Sequence, residues 1–172
     1  MNRFTWLSRS MLVGVVLMCL GTTCTFAGLN EGETAYQKGD YGLAWRELRP
    51  LAEEGNAPAQ YLLGLMYAIG AGVAEDDKRA NEWYRKSAAQ GYSPAQNTLA
   101  GAYSQGRGVP QDVVLAYALY NLAAADYSLA AIQRKIVAER MSPSQIAEGQ
   151  KITRALARPG GFLKALDVAA AR

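Results

Sequence analysis

The amino-acid sequence predicts an all-α protein, a right-handed α-solenoid in which antiparallel two-helix repeats follow one another with a 36-residue period. Two observations predict this fold. The segments 55–90 and 91–126 are identical at fourteen of their 36 aligned positions, and apolar residues within each segment recur at the spacing of a helix face. A period of this size is typical of units that stack on copies of themselves, because one unit cannot bury its own apolar face.

Residues 1–27 have the pattern of a secretory signal peptide. Arg3 and Arg9 precede an uncharged apolar run, which small and polar residues follow up to Ala27. We therefore expect cleavage after Ala27 and an exported, periplasmic protein. An alternative stays open, because the stretch 10–28 is almost long enough to span a bilayer and could anchor the protein uncleaved in the inner membrane.

Loss of that segment removes both cysteines, and the chain contains no histidine. Sites that need a thiol or an imidazole are then excluded, including Ser-His-Asp triads and zinc sites with histidine ligands. Without Arg3 and Arg9, 16 basic residues stand against 15 acidic ones, which gives no electrostatic reason to expect nucleic acid or an anionic membrane as a partner. We expect no catalytic residues, no cofactor and no metal.

The segment 28–54 is predicted to be a partial leading repeat. Its second half carries Ala44 and Ala52, which precede Ala80 and Ala88 by one 36-residue period. Residues 29–38 are expected to form a short first helix before it.

Each full repeat is predicted to form two helices separated by a glycine turn; the repeats span residues 55–90 and 91–126. The first helix ends at Gly70 or Gly106, where a left-handed residue costs least without a Cβ. Asp76 and Asp112 are expected to cap the second helices. The starts of the first helices are expected to be capped by Asn56 and, in a capping box with Gln96, by Ser93. The large aromatic residues are interpreted as core: Tyr67, Trp83, Tyr84, Tyr103 and Tyr120.

The repeat pattern fails after residue 126. The segment 127–157 is predicted to contain a truncated third repeat, with Ala131 in register with Ala95, and then a capping helix that begins at Ser142-Pro143. Residues 158–172 form a C-terminal tail, for which a short helix and a frayed end are both open.

These motifs resemble the Sel1-like repeat, a relative of the tetratricopeptide repeat. The resemblance is carried by Gly70-x-Gly72-Val73, Asp76 and the run Trp83-Tyr84-Arg85-Lys86-Ser87-Ala88-Ala89-Gln90-Gly91, with matching positions in the second segment. The second segment departs from the family pattern at Ala100 and Leu119. The resemblance implies a tetratricopeptide-like helical array whose first helices line a concave face.

Residues on that face that differ between repeats are the candidates for partner binding. They are Tyr61, Leu65 and Ala68, their counterparts Asn97, Gly101 and Ser104, and the aromatic residues Tyr36, Tyr41 and Trp45 of the leading unit. Packing of Tyr61 and Leu65 on the neighbouring helix is the competing interpretation.

We therefore expect a non-catalytic protein–protein interaction module, a periplasmic adaptor or regulator that binds partner proteins or peptides through its repeat surface. The alternative is a cell-envelope enzyme or ligand-binding accessory for peptidoglycan-type or β-lactam-like ligands.

Overall fold

The computed structural model describes residues 28–171, and every regular element in that range is helical. The helices are α1 (28–38), α2 (Tyr41–Glu53), α3 (Ala57–Ile69), α4 (Asp77–Ala89), α5 (Ser93–Gln105), α6 (Val113–Ala123), α7 (Ser128–Ala138), α8 (Pro143–Leu156) and α9 (Phe162–Ala170). The pairs α3/α4 and α5/α6 form the two full repeats, and α2 packs on α3 as α4 packs on α5. The predicted all-α solenoid is confirmed.

The predicted helix ends are found at nearly every position. Gly70 and Gly106 end α3 and α5 with φ of 68° and 72°, and the carboxylates of Asp76 and Asp112 accept backbone N–H groups at the starts of α4 and α6. Asn56 caps α3 by accepting the N–H of Ala59 at 2.9 Å. These caps define where each helix begins and ends.

The predicted capping box at Ser93 is wrong. The N-cap of α5 is Tyr92, which makes no side-chain cap bond. Gln96 does not reach back along its own helix because its Nε2 donates to the carbonyl of Ala88 on the preceding helix at 3.1 Å. Gln60 bonds to Ala52 in the same way, so this glutamine links one repeat to the one before it.

Two apolar clusters form the core, one around Leu48, Leu63 and Met66 and a larger one around Leu99 and Tyr103. Tyr84, Tyr103 and Tyr120 are buried as predicted. Tyr67 and Trp83 differ from the prediction, since both are only half-buried and pack against the clusters from outside. Lys86 Nζ lies 4.0 Å from the Trp83 ring centroid.

The third unit is displaced by one residue from the predicted register. Tyr92 and Tyr127 occupy the N-caps of α5 and α7 but lie 35 residues apart rather than 36. The fully buried alanine of α7 is accordingly Ala130, and Ala131 is only half-buried, so the predicted register is wrong by one. The shorter spacing turns a different set of α7 side chains toward α5.

The capping box of Ser142 and Gln145 at the start of α8 is confirmed. This helix packs mainly on α6, where Thr153 Oγ1 donates to the carbonyl of Ala118 at 3.1 Å. Within the tail, Phe162–Ala170 forms α9, whose Leu166 is fully buried. Arg85 of α4 pairs with Asp167, so α9 returns to the middle of the array.

Candidate functional site

A cavity of about 240 Å³ lies where the first helices of three successive units meet. Side chains of α3, α5 and α7 line it, together with buried tyrosines from α4 and α6. The lining residues of the first helices include Ala68, Asn97, Thr98, Gly101, Gln105 and Gln133. We call the surface that they form the first-helix face.

One wall of the cavity is held by bonds between α4 and the turn after α5. Asn81 Nδ2 donates to the carbonyl oxygen of Arg107 at 2.7 Å, and the Arg107 guanidinium pairs with the Asp77 carboxylate at 2.9 Å. A Cβ at Gly108 would lie 2.6 Å from the Asp77 carbonyl oxygen, so glycine permits this close approach. Since Asp77 and Arg107 neutralise each other, the wall adds no net charge to the cavity.

A second wall contains an unsatisfied acceptor. Asn97 Oδ1 is buried and has no hydrogen-bond partner within the described part of the chain. A buried carbonyl oxygen without a donor costs roughly 1–3 kcal/mol of unfolding free energy. A ligand that supplies an N–H or O–H group at this point would remove that cost.

Gly101 leaves the cavity open above Tyr120. This glycine lies inside α5 with helical backbone, and a Cβ at this position would be 3.5 Å from the Tyr120 hydroxyl oxygen, an ordinary van der Waals distance. Alanine would therefore fit, although glycine costs about 1 kcal/mol relative to alanine inside a helix. Internal packing does not explain the glycine.

The two tyrosines at the cavity remain protonated at neutral pH. Burial raises the pKa of Tyr84, with smaller contributions from neighbours that include Tyr61 and Tyr36, and burial alone raises the pKa of Tyr120. Their hydroxyl groups are thus hydrogen-bond donors rather than anions. With the Asp77–Arg107 pair, they make the cavity polar and uncharged.

On the α3 side, Tyr61 and Leu65 are half-buried and pack against the larger core cluster. The Tyr61 ring centroid lies 5.9 Å from that of Tyr84 and 5.5 Å from that of Tyr92. These two residues therefore contribute to packing, as the competing interpretation expected, and keep part of their surface accessible.

On the α7 side, three large aliphatic residues are exposed. Leu129, Ile132 and Ile136 have relative exposures of 43%, 59% and 45%. They are spaced i, i+3 and i+7, so they share one face of α7, and Gln133 of that face reaches the cavity. We call these three residues the α7 stripe.

The other candidate residues lie apart from the cavity. Tyr36 and Tyr41 contact each other edge to face at 5.8 Å, and Trp45 contacts Tyr67 at 5.7 Å. All three candidates pack on the smaller, N-terminal core cluster. The carbonyl of Ser104 accepts a bond from Gln111. The structure thus gathers Ala68, Asn97 and Gly101 at one cavity; a binding role for any candidate stays a prediction.

Sequence reasoning did not select Gln133 or the α7 stripe. With the assumed 36-residue period, Ile132 and Ile136 fall one position before the counterparts of Asn97 and Gly101. The signal that could have identified them is the tyrosine pair Tyr92 and Tyr127, whose 35-residue spacing already reveals the displacement.

Residues 28–171 contain no group of three or more acidic residues that could hold a metal ion. No helix in the same range has the length and apolarity needed to cross a membrane. The predicted signal peptide lies outside the described residues.

The fold and the first-helix face define a class, the helical-repeat solenoids. The family model of the Sel1 repeat matches residues 57–92 and 93–128, so the chain contains two Sel1 repeats. The first match begins two residues after the repeat start used above. Sel1 repeat proteins generally mediate protein–protein interaction and are generally non-enzymatic scaffolds.

Two solved structures are similar to this one. The protective antigen c5321 of uropathogenic Escherichia coli, which displays an SLR fold, is 28% identical with a TM-score of 0.75 over 84% of this chain and 32% of its own. A Sel1 repeat protein from Oxalobacter formigenes is 33% identical with a TM-score of 0.58 over 60% of this chain and 43% of its own. The chain therefore spans less than half the length of either. A comparison with curated proteins found no match.

Proposed function

We propose that this chain is a non-catalytic periplasmic adaptor that binds partner proteins or peptides through its first-helix face. The observation that carries the proposal is the cavity where α3, α5 and α7 meet. On α5 it is lined by Asn97 and Gly101, which differ from their counterparts Tyr61 and Leu65 in the first repeat, whereas several packing residues, such as Leu63/Leu99, are the same in both repeats. Repeat proteins use extended faces of this kind as binding surfaces.

Partner binding also agrees with the chemistry of this face. It combines uncharged hydrogen-bonding groups, such as Asn97 and Thr98, with exposed apolar residues of the α7 stripe. Protein interfaces have this composition of apolar contacts and a limited number of hydrogen bonds. At this cavity a small envelope ligand is less well supported, because its volume of about 240 Å³ is below the roughly 300–1,000 Å³ of ordinary ligand pockets. A second cavity, between α8 and α9, has a volume of about 380 Å³ and lies within that range.

Site-specific crosslinking in cells tests the proposal. A photoreactive amino acid is placed at Thr98 on the first-helix face of the tagged full chain and, as a matched control, at the exposed Glu82 on the outer helix α4. We expect a discrete protein adduct from position 98 that is absent from position 82. Equal labelling from both positions, or muropeptides in place of a protein adduct, would contradict the proposed adaptor function.

The periplasmic location has its own measurement. We expect osmotic shock to release the chain shortened by about 27 residues, in agreement with the signal pattern. Retention of an unshortened chain in the membrane fraction would support the anchored alternative instead.

A further inference from the structure

We propose that the cavity between α8 and α9 binds an alkyl carboxylate, whose apolar chain lies along the two helices and whose carboxylate group contacts Arg158 and Lys164. Both helices follow the last Sel1 repeat, so this site is separate from the first-helix face. It goes beyond the adaptor function and does not depend on it.

The cavity is a groove between one face of each helix. Its volume is about 380 Å³, which suits a small organic molecule. Its apolar wall consists of Ile152, Ala155, Ala165, Val168 and Ala169. Since three of these residues are alanines, the two helices leave space between them. Val168 is 65% exposed, so a ligand chain that covered it would remove apolar surface from water.

The charged residues of the groove are mainly basic; they are Glu148, Lys151, Arg158 and Lys164. Lys151 Nζ lies 3.7 Å from the Glu148 carboxylate. Within residues 28–171, Arg158 and Lys164 form no ion pair. The acidic residue of α9, Asp167, pairs with α4 instead. The groove therefore offers two cations to which a bound anion can form charge-assisted hydrogen bonds.

These two cations lie at one end of the groove. Arg158 follows the C-terminal end of α8, and Lys164 lies in the first turn of α9, so both are near the turn that joins the helices. Ile152 and Val168 continue the apolar wall away from that turn. A ligand that matches this order carries its negative charge at one end and an apolar chain behind it.

The length of the groove sets the length of that chain. On α8 the lining runs from Glu148 to Ala155, which spans about 10 Å at the rise of an α-helix. An extended chain advances about 3.3 Å for every three bonds, so about eight or nine carbon atoms cover this distance. Octanoate has this length.

The apolar wall favours an alkyl chain over a peptide. A peptide main chain carries an N–H and a C=O group at nearly every residue, and burial of these groups without partners is costly. The wall residues, such as Ile152 and Val168, have no side-chain hydrogen-bonding group. An alkyl chain needs no such partner, so only its carboxylate requires polar contacts.

Isothermal titration calorimetry tests the charge and the chain separately. The protein is purified from cells that express the full chain and is titrated with octanoate, with acetate and with octylammonium. We expect octanoate to bind and the other two to give no detectable binding, because acetate lacks the chain and octylammonium has the opposite charge. Equal binding of octylammonium, or no binding of octanoate, would overturn the proposal.

A series from hexanoate to dodecanoate, each below its critical micelle concentration, tests the length of the groove. The dissociation constant should fall about two- to fourfold per added CH₂ group. It should level off near about eight or nine carbon atoms, the length derived from the helix rise. A fall that continues through dodecanoate would indicate unspecific adsorption and contradict the site.

Substitution of the two cations tests where the carboxylate binds. Arg158→Gln/Lys164→Gln should raise the dissociation constant of octanoate about tenfold. The melting temperature should not change, because both side chains are exposed. The matched control, Lys78→Gln/Arg140→Gln, removes the same charges from exposed positions outside the groove and should leave the affinity unchanged. An equal loss in the control would reduce the effect to net charge and overturn the assignment.

A competing source of the same chemistry is the C-terminal carboxylate of a partner protein. A short peptide that ends in leucine is therefore titrated beside its C-terminal amide. We expect both to bind more weakly than octanoate. A free-acid peptide that binds more tightly than octanoate would assign the groove to a protein C-terminus and overturn the proposal. The crosslinking at Thr98 is unaffected by either result, so it tests the adaptor function independently.

Discussion

Gly64 in α3 and Gly101 in α5 distinguish the packed side of the array from its open side. A Cβ at Gly64 would lie 2.4 Å from the Tyr84 ring, whereas one at Gly101 would meet only the Tyr120 hydroxyl oxygen at 3.5 Å. The first glycine is needed because two helices touch across it. The second position would accept alanine, so the packing of the helices does not require glycine there.

The largest loss of stability is expected for a substitution of Tyr84, whose ring packs against Gly64. Tyr84→Ala should lower the free energy of unfolding by about 3–5 kcal/mol, because it leaves a cavity between α3 and α4 that the surrounding helices cannot fill. Chemical denaturation measures this loss. Val168→Ala, at a residue 65% exposed, is the control and should cost less than about 0.5 kcal/mol.

Gly64→Ala probes the same contact from the opposite helix. The added methyl group overlaps the Tyr84 ring and should destabilise the protein by about 1–3 kcal/mol, the usual cost of overpacking. Denaturation of both variants gives the comparison. An unchanged or raised stability for Gly64→Ala would show that α3 and α4 are not in close contact here.

Alkaline pH should lower the free energy of unfolding, because several tyrosines are buried in the folded protein. Burial raises the pKa of Tyr36, Tyr84, Tyr92, Tyr103 and Tyr120 above the value of 10.0 that a free tyrosine has. Below about pH 9 these tyrosines stay protonated in both the folded and the unfolded chain, so they do not make stability depend on pH.

Above pH 10 the unfolded chain ionises first, and stability falls by at most about 1.4 kcal/mol per pH unit for each such tyrosine. Denaturation at a series of pH values measures the slope. Tyr84→Phe should make the slope shallower, and a slope equal to that of the wild type would mean that Tyr84 ionises freely in the folded state.

The smallest change in stability is expected at Gly101, and it is an increase rather than a loss. Gly101→Ala should stabilise the protein by about 0.4–1 kcal/mol, because alanine has less conformational freedom to lose in a helix. This corresponds to a melting temperature about 2–4 °C higher. A lower melting temperature would reveal a packing requirement at Gly101.

Local signals account for most of what the sequence predicted. The helices, their glycine ends and the caps at Asp76, Asp112 and Ser142 follow from residues adjacent in the chain, and the repeat itself fixes how units stack. The buried state of Tyr84 and Tyr103 follows from helical spacing in the same way.

What sequence reasoning missed depends on contacts between distant residues. Trp83 and Tyr84 are adjacent aromatic residues on one helix, and only the position of the neighbouring helices decides which is buried. The side chain of Gln96 could bond to its own helix or to the preceding one, and tertiary geometry decides between these. The one-residue displacement of α7 places Ile132 and Ile136 at the positions equivalent to Asn97 and Gly101.

The ion pair between Arg85 and Asp167 has a consequence for how the chain folds. Helical repeats are held by contacts between near neighbours in sequence, so each can form without waiting for the rest. Here α9 returns to α4 across a separation of 82 residues, and such a distant contact raises the average loop that must close during folding. Docking of α9 therefore couples residues 162–170 to a repeat that lies much earlier in the chain.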